Sequence, residues 1–384
     1  MKKLPQKITH KLQQREQNNA LRKLPIPNNL IDFASNDYIG FATSEQIFTE
    51  THKYLLENNI KINGATGSRL LSGNHKLYQI TEDFIAHFHQ TETALIFNSG
   101  YDANIGFFSS VPQRNDIVFY DELCHASIRD GIQMGHAKAY KFGHNDFEEL
   151  EKSIEKSITS SIQKPTIYIV TESVFSMDGD TPNLEELVVL SEKYNCYIII
   201  DEAHAIGVFG DNGEGIIQST QLQNRIFARI VTFGKGLGCH GAVILGSNEL
   251  KQYLVNFARS FIYTTGLSPH SVATILVAYQ HLKSRKKELQ KLKANIQHFN
   301  QQKMLLGLKP MFVYSKSAIQ CAIIPGNNNV KSIASKIQEA GFDVKPILSP
   351  TVPEGQERLR FCLHSFNSEK EITEVLQLLA TFVF

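Results

Sequence analysis

A chain of 384 residues, 42% of them hydrophobic, is long enough to bury a sizeable core and suits two domains better than one. With 39 Lys and Arg against 38 Asp and Glu, its formal net charge of +1 lacks the basic excess on which nucleic-acid and membrane-surface binders draw. The longest apolar runs, such as YIII at 197–200, are too short to span a bilayer.

In chain order, residues 1–30 read as a polar helix and then a loop with Pro25 and Pro27. The lysines at the start have no apolar stretch behind them, so no secretory signal is expected. Leu77, Ile80, Phe84 and Phe88 recur at helical spacing and predict a helix over 75–89. A βα alternation follows, with strand-like runs at 94–97, 116–120, 166–170, 196–201, 229–233 and 241–245. Most are continuously apolar, as strands covered on both faces are. The pattern predicts an α/β fold with a mostly parallel sheet and crossover helices.

Near Pro269 the pattern changes. Ile275, Leu282, Leu289, Leu292, Ile296 and Phe299 mark one long amphipathic helix or two over 269–300. The lysine cluster there reads as a solvated face. A smaller α+β unit comes next: strand 319–324, helix 330–340 ending at Gly341, strand 358–364 and a final helix with Ser368 and Glu371 as its capping box. The expected division is an N-terminal arm over 1–40, a large α/β domain over 41–270 and a C-terminal α+β domain over 271–384. The five cysteines (124, 196, 239, 321 and 362) are dispersed without a CxxC pair, which suits thiols in a reducing cytoplasm.

In parallel α/β sheets ligands bind beyond the carboxyl ends of the strands. Here those ends carry NSGYDAN (98–104), DELCHASI (121–128), ESVFSMDGD (172–180), DEAHAIG (201–207) and TFGKGLG (232–238). Ser99 and Gly100 open a helix whose free N–H groups would favour an anion, although an ordinary strand-to-helix turn reads the same way. DEAH matches the acidic box of nucleic-acid ATPases, but the lone Gly-Lys pair, Gly234-Lys235, is followed by Gly236 and so makes no phosphate loop. As a metal site Asp201 and His204 lack a third ligand nearby in sequence, and Asp201 alone could simply cap a helix. An aspartate at one strand end and a lysine at a later one suit a pyridine aldehyde cofactor. The carboxylate keeps the ring nitrogen protonated and the lysine amine forms the Schiff base.

Taken together and in this order, NSGYDAN, CHAS, TESVFSMDGDTPNL, DEAHAIGVFG, TFGKGLG and FIYTT make the chain resemble the α-oxoamine synthases. These are pyridoxal 5'-phosphate enzymes of fold type I, the aspartate-aminotransferase fold. The resemblance runs from FASNDYIGF at 33–41 to SPTVPEGQERLR at 349–360. It implies that Lys235 is the Schiff-base lysine and proton-transfer group, that Asp201 holds the pyridine nitrogen and that His125 stacks on the ring. His204 and Ser176 would lie near the phenolic oxygen, and Ser99, Gly100, Tyr101 and Thr232 would cradle the phosphate or ring edge. Thr264 and Thr265 would reach the phosphate of a neighbouring subunit, implying a homodimer with shared sites. Arg22, Asn36 and Thr351 fall at positions near the substrate.

The implied reaction is a decarboxylative Claisen condensation of an amino acid with an acyl thioester, L-alanine and a pimeloyl group being the pair the motifs favour. Sister members with other substrates share the cofactor motifs. Retention of Lys235, Asp201 and His125 speaks against a non-catalytic chain of the same fold. One position departs from the family: Leu348 stands in VKPILSPTVP where an arginine for the amino-acid carboxylate is usual, and Lys345 or Arg358 is expected to take its place.

Overall fold

A computed structural model describes residues 3–22, 24, 26, 29–161 and 163–384; Pro25 and Pro27 lie outside the described residues. Two compact units divide the chain: Met1–Ser35, Met177–Asp180 and Leu292–Phe384 form one, Asn36–Ser176 and Thr181–Lys291 the other. Strands in chain order are β1 Ile31–Asp32, β2 Thr93–Phe97, β3 Ile117–Asp121, β4 Lys138–Phe142, β5 Ile167–Glu172 and β6 Tyr197–Asp201. They continue with β7 Ala228–Thr232, β8 Ala242–Gly246, β9 Ile319–Ile323, β10 Phe342–Asp343, β11 Lys345–Ile347 and β12 Arg358–Cys362.

The second unit is built on a seven-stranded sheet of order β2-β8-β7-β6-β5-β3-β4. Its pairs from β7 through β6, β5 and β3 to β4 are parallel, whereas β8 runs antiparallel to both β2 and β7. The expected mostly parallel sheet is therefore present. Side chains of its central strands alternate between two apolar cores. Val118, Val170 and Ile199 face one core with Phe107, Phe108, Ile128 and Leu254; Ile117, Ile169, Ile198 and Ile200 face the other with Leu150, Ile154, Leu187 and Val188. Helices Gly100–Ser110, Ala126–Met134 and Asn248–Phe257 supply the first, and Phe147–Thr159 and Leu184–Tyr194 the second. This two-sided cover is why the strands read as unbroken apolar runs.

Strand β4, KAYKF, goes unpredicted because, unlike the buried edge strand β2, it has little cover. Four of its five residues are exposed. Helix Glu45–Glu57, capped by the Ser44 side chain, also goes unpredicted. The stretch after Pro269 forms two helices, Pro269–Ser284 and Lys286–Leu305.

In the first unit β9, β12 and β11 form an antiparallel sheet of order β11-β12-β9, and β1 pairs in parallel with β10. Ser368 and Glu371 cap helix Glu369–Val383 reciprocally, as the sequence predicts.

Candidate active site

At the carboxyl ends of the parallel strands lies a cavity of about 230 Å³, walled by Ser99, Gly100, Tyr101, Asn104, His125, Ser127, Glu172, Asp201, Ala203, Thr232, Gly234, Lys235, His240 and Gly241. The topology explains the gathering. β2 delivers Ser99, β3 delivers His125, and β5, β6 and β7 end on Glu172, Asp201 and Thr232. Because β8 returns antiparallel from the Lys235 turn, His240 and Gly241 join the same wall.

Asp201 is buried on the cavity floor, its Oδ1 accepting from Ala203 N at 2.9 Å and its Oδ2 from Asn104 Nδ2 at 3.0 Å. Asn104 Nδ2 also donates to Ser127 Oγ at 3.0 Å, and Ser127 Oγ lies 2.7 Å from His125 Nδ1. His125 Nδ1 in addition accepts from Ser127 N at 3.2 Å. A nitrogen that accepts from a backbone N–H carries a lone pair, so the His125 ring proton sits on Nε2. Burial and the Lys235 charge hold His125 below the ordinary imidazole range.

Glu172 and Asp201 occupy paired positions on neighbouring strands. Glu172 Oε1 accepts from His125 N at 2.6 Å. Burial first, and the Asp201 carboxylate next, push Glu172 up from 4.5 to about 8. Lys235 Nζ stands 2.8 Å from His204 Nε2, and His204 Nδ1 stands 2.6 Å from the Tyr38 hydroxyl.

The phosphate end fits the anion that the sequence implies. Thr232 Oγ1 is buried and finds no hydrogen-bond partner among the described residues. A Cβ on Gly100 would stand 2.5 Å from Thr232 Cγ2, so only a glycine keeps that space open. Helix Gly100–Ser110 aims its first N–H groups here. Ser99 is engaged as its N-cap: its Oγ accepts from Asp102 N at 3.0 Å and donates to Asp102 Oδ2 at 2.9 Å.

Of the residues singled out in the sequence, Ser99, Gly100, Tyr101, His125, Asp201, Thr232 and Lys235 line the cavity, and His204 joins through Lys235. Asn36 connects to the same unit through Tyr38, whose hydroxyl donates to Asn36 Oδ1 at 3.2 Å. Ser176 is half-buried after β5 and is not part of the cavity wall. Thr264 and Thr265 also stand outside it: Asn98 Nδ2 donates to Thr264 Oγ1 at 3.0 Å and to the Thr265 carbonyl at 2.5 Å. In the first unit Arg22 Nη2 donates to Thr351 Oγ1 at 3.4 Å.

The two cations expected to replace the arginine at Leu348 differ sharply. Arg358 is buried, ion-paired with Asp178 and bonded to the carbonyls of Met177 and Gln356, at 3.0 and 2.9 Å. Lys345 is more accessible and pairs with Asp343 at 2.5 Å. Asn104, Ser127, Glu172 and Tyr38 were not singled out, although each lies inside a motif that was quoted. The bonds of Asn104 to Asp201 and Ser127, of Glu172 to His125 and of Tyr38 to His204 join segments far apart in sequence, so spacing alone carries no signal for them.

Residues 28–379 match the family model "Aminotransferase class I and II". The chain is 39% identical over 388 residues to 8-amino-7-oxononanoate synthase of Emericella nidulans, covering 97% of this chain and 94% of that one. Its fold superposes on the crystal structure of 8-amino-7-oxononanoate synthase from Francisella tularensis with a TM-score of 0.78 and 28% identity, covering 93% and 98% of the two chains. Serine palmitoyltransferase of Sphingomonas wittichii is likewise similar, with a TM-score of 0.84, 28% identity and 92% and 87% coverage. The chain belongs to the class I and II aminotransferase family of pyridoxal-phosphate enzymes, in its α-oxoamine synthase branch.

Proposed function

We propose that the protein joins L-alanine to a pimeloyl thioester, of coenzyme A or an acyl carrier protein, releasing the thiol and carbon dioxide and forming 8-amino-7-oxononanoate for biotin biosynthesis. The observation that carries this reading is a single cavity holding Lys235, Asp201 and His125 in a chain 39% identical to an enzyme of that name. Pyridoxal phosphate, when bound, supplies an aldehyde that links to amines and a ring that takes up the electron pair left at a deprotonated carbon.

The chain's own residues do the rest. Asp201 holds the protonated ring nitrogen, and Asn104 and Ala203 N–H keep its carboxylate in place. His125, fixed by Ser127 and Glu172, would cover the ring. Gly100, Tyr101 and Thr232 receive the phosphate. Lys235 Nζ would hold the cofactor's aldehyde, and the same amine would take the α-proton of the amino acid and return a proton to the product. Arg22, Asn36 and Thr351 belong to the substrate approach, with Lys345 as the more accessible cation for the amino-acid carboxylate.

Thr264 and Thr265, bonded to Asn98 and outside the lining of the chain's own cavity, serve the phosphate of a second subunit in a homodimer. A cytoplasmic setting suits cysteines that form no disulfide among the described residues. No described helix is long and apolar enough to cross a membrane.

Leu348 favours one second reading, a sister α-oxoamine synthase that takes another amino acid, such as glycine C-acetyltransferase or serine palmitoyltransferase. Thiol release from acetyl-, succinyl-, pimeloyl- and palmitoyl-thioesters against alanine, glycine and serine separates the two: preference for pimeloyl with alanine supports the first. A visible-edge absorbance band that borohydride abolishes tests the cofactor linkage. Lys235→Ala should lose that band, and its persistence would overturn the role of Lys235.

A further inference from the structure

The groups that fit a phosphate in this cavity are neutral. Thr232 Oγ1 is unpartnered among the described residues on a side chain only 8% exposed, Gly100 keeps the space before it open, and helix Gly100–Ser110 presents its first N–H groups. A phosphate monoester carries about 1.5 to 2 negative charges near neutral pH. Three side chains in the cavity wall can carry positive charge: Lys235, His125 and His240. Lys235 lies against His204, and His125 is fixed by Ser127 and, through its backbone N–H, by Glu172. His240 is exposed at the rim, and its imidazole makes no hydrogen bond, ion pair or ring contact with a described residue.

Sheet topology puts His240 at the phosphate end. Strand β8 lies between β2 and β7, and its first residue, Ala242, pairs with Phe97 on one side and Thr232 on the other. Beyond these pairs, Phe233 N donates to the Gly241 carbonyl at 2.9 Å and Cys239 N donates to the Phe233 carbonyl at 2.7 Å. Residues 239 and 241 are thus both tied to Phe233, and His240 stands in the bulge between them. Gly241 makes this possible: its φ is +112°, and a Cβ there would come within 3.1 Å of the Phe97 carbonyl. The two strands beside His240 are therefore the two that supply the phosphate cradle, β2 running on into Ser99 and Gly100 and β7 ending on Thr232. Asp201, which is proposed to hold the ring nitrogen, ends β6, two strands and about 10 Å across the sheet from β8.

We propose that His240 is a further phosphate-binding residue of this cavity, its imidazole N–H donating to the oxyanion held by Gly100, Tyr101 and Thr232. An imidazole has an N–H to give whether neutral or charged, and when charged it also offsets the phosphate's charge. The inference rests on the reading of the cavity as a pyridoxal-phosphate site. A substrate carboxylate would offer the same oxyanion chemistry, but the strands flanking His240 favour the phosphate.

Binding to cofactor-free protein tests this without turnover. Fluorescence titration gives dissociation constants for pyridoxal phosphate and for pyridoxal, which lacks the phosphate, with inorganic phosphate as a competitor. His240→Ala should weaken pyridoxal phosphate and inorganic phosphate by about 10- to 100-fold, the effect of losing one hydrogen bond to a charged group, and leave pyridoxal unchanged. His240→Gln, which keeps an N–H donor, should recover most of that loss. Thr232→Val marks the phosphate end independently and should also weaken pyridoxal phosphate alone. If Thr232→Val does so while His240→Ala changes nothing, or weakens pyridoxal equally, the assignment of His240 is overturned and the cofactor reading stands. A raised KM for alanine with unchanged cofactor affinity would move His240 to the substrate carboxylate and overturn it as well. Wild-type protein that binds pyridoxal phosphate no more tightly than pyridoxal would sink the cofactor reading, and this assignment with it.

Discussion

Glu172 and Asn104 set the electrostatics of the cavity. A buried carboxyl raised from 4.5 to about 8 binds its proton more tightly in the folded than in the unfolded chain. Its contribution to stability is therefore full below the unfolded value and is lost as pH rises through about 8. Each pKa unit is worth about 1.4 kcal/mol, so the cofactor-free protein should lose a few kcal/mol from this group between mildly acidic and mildly alkaline solution. Glu172→Gln keeps an oxygen for His125 N–H without a titrating proton. Urea midpoints across that pH range should fall in the wild type and flatten in the variant; parallel curves would refute the account. Asn104 bonds both Asp201 and Ser127. Asn104→Ala deprives a buried carboxylate of a donor, a loss of about 1–3 kcal/mol. If Asp201 holds the ring nitrogen, as proposed, cofactor affinity measured by fluorescence titration should drop with it.

The turn after β7 divides its glycines between two tasks. Gly234 lines the cavity, and a Cβ there would meet nothing closer than the Cys239 carbonyl at 3.5 Å. Gly236 is different: a Cβ would stand 2.3 Å from the Ile206 carbonyl. Gly238, at φ +59°, would bring one to 2.2 Å from Ala42 N. Gly234 faces the cavity, whereas Gly236 and Gly238 are needed for backbone packing against Ile206 and Phe41–Ala42. Gly236→Ala should destabilise the protein by about 1–3 kcal/mol, the usual cost of forced overpacking, seen as a lower melting temperature without cofactor. Gly234→Ala should melt close to wild type, and any loss should appear in cofactor retention after dialysis. A melting temperature lowered equally in both would contradict this division.

At the scale of the whole molecule, Thr264 and Thr265 are tied to Asn98 and stand apart from the cavity wall of their own chain. If they complete a partner's site, a Lys235→Ala subunit and a Thr264→Ala/Thr265→Ala subunit, each nearly inactive alone, should regain activity when mixed and refolded. In a mixed dimer one of the two sites has both its lysine and its threonines, so recovery approaching a quarter of wild-type activity is expected, because about half of the dimers are mixed by random pairing. No recovery, with dimers demonstrated by sedimentation, would place the threonines outside the partner's site.

Much of this was legible in the linear chain. Strands β2, β3, β5, β6, β7 and β8 are continuous apolar runs because helices cover both faces, and periodicity reports burial directly. Motifs at the ends of those strands marked Lys235, Asp201 and His125 because a parallel sheet presents its carboxyl ends together. Strand β4 escaped because an exposed edge needs no apolar run, and Ser176 was placed with the cofactor although it does not line the cavity. What only the tertiary structure decided is the set of bonds between groups distant in sequence: Asn104 to Asp201, His125 N to Glu172, and Tyr38 to His204 and on to Lys235. Burial acts on a residue through its own sequence neighbourhood, so it leaves a local pattern. A hydrogen bond depends on two groups meeting within about 3 Å, and that is settled only when strand order and turn geometry bring separate segments to one place.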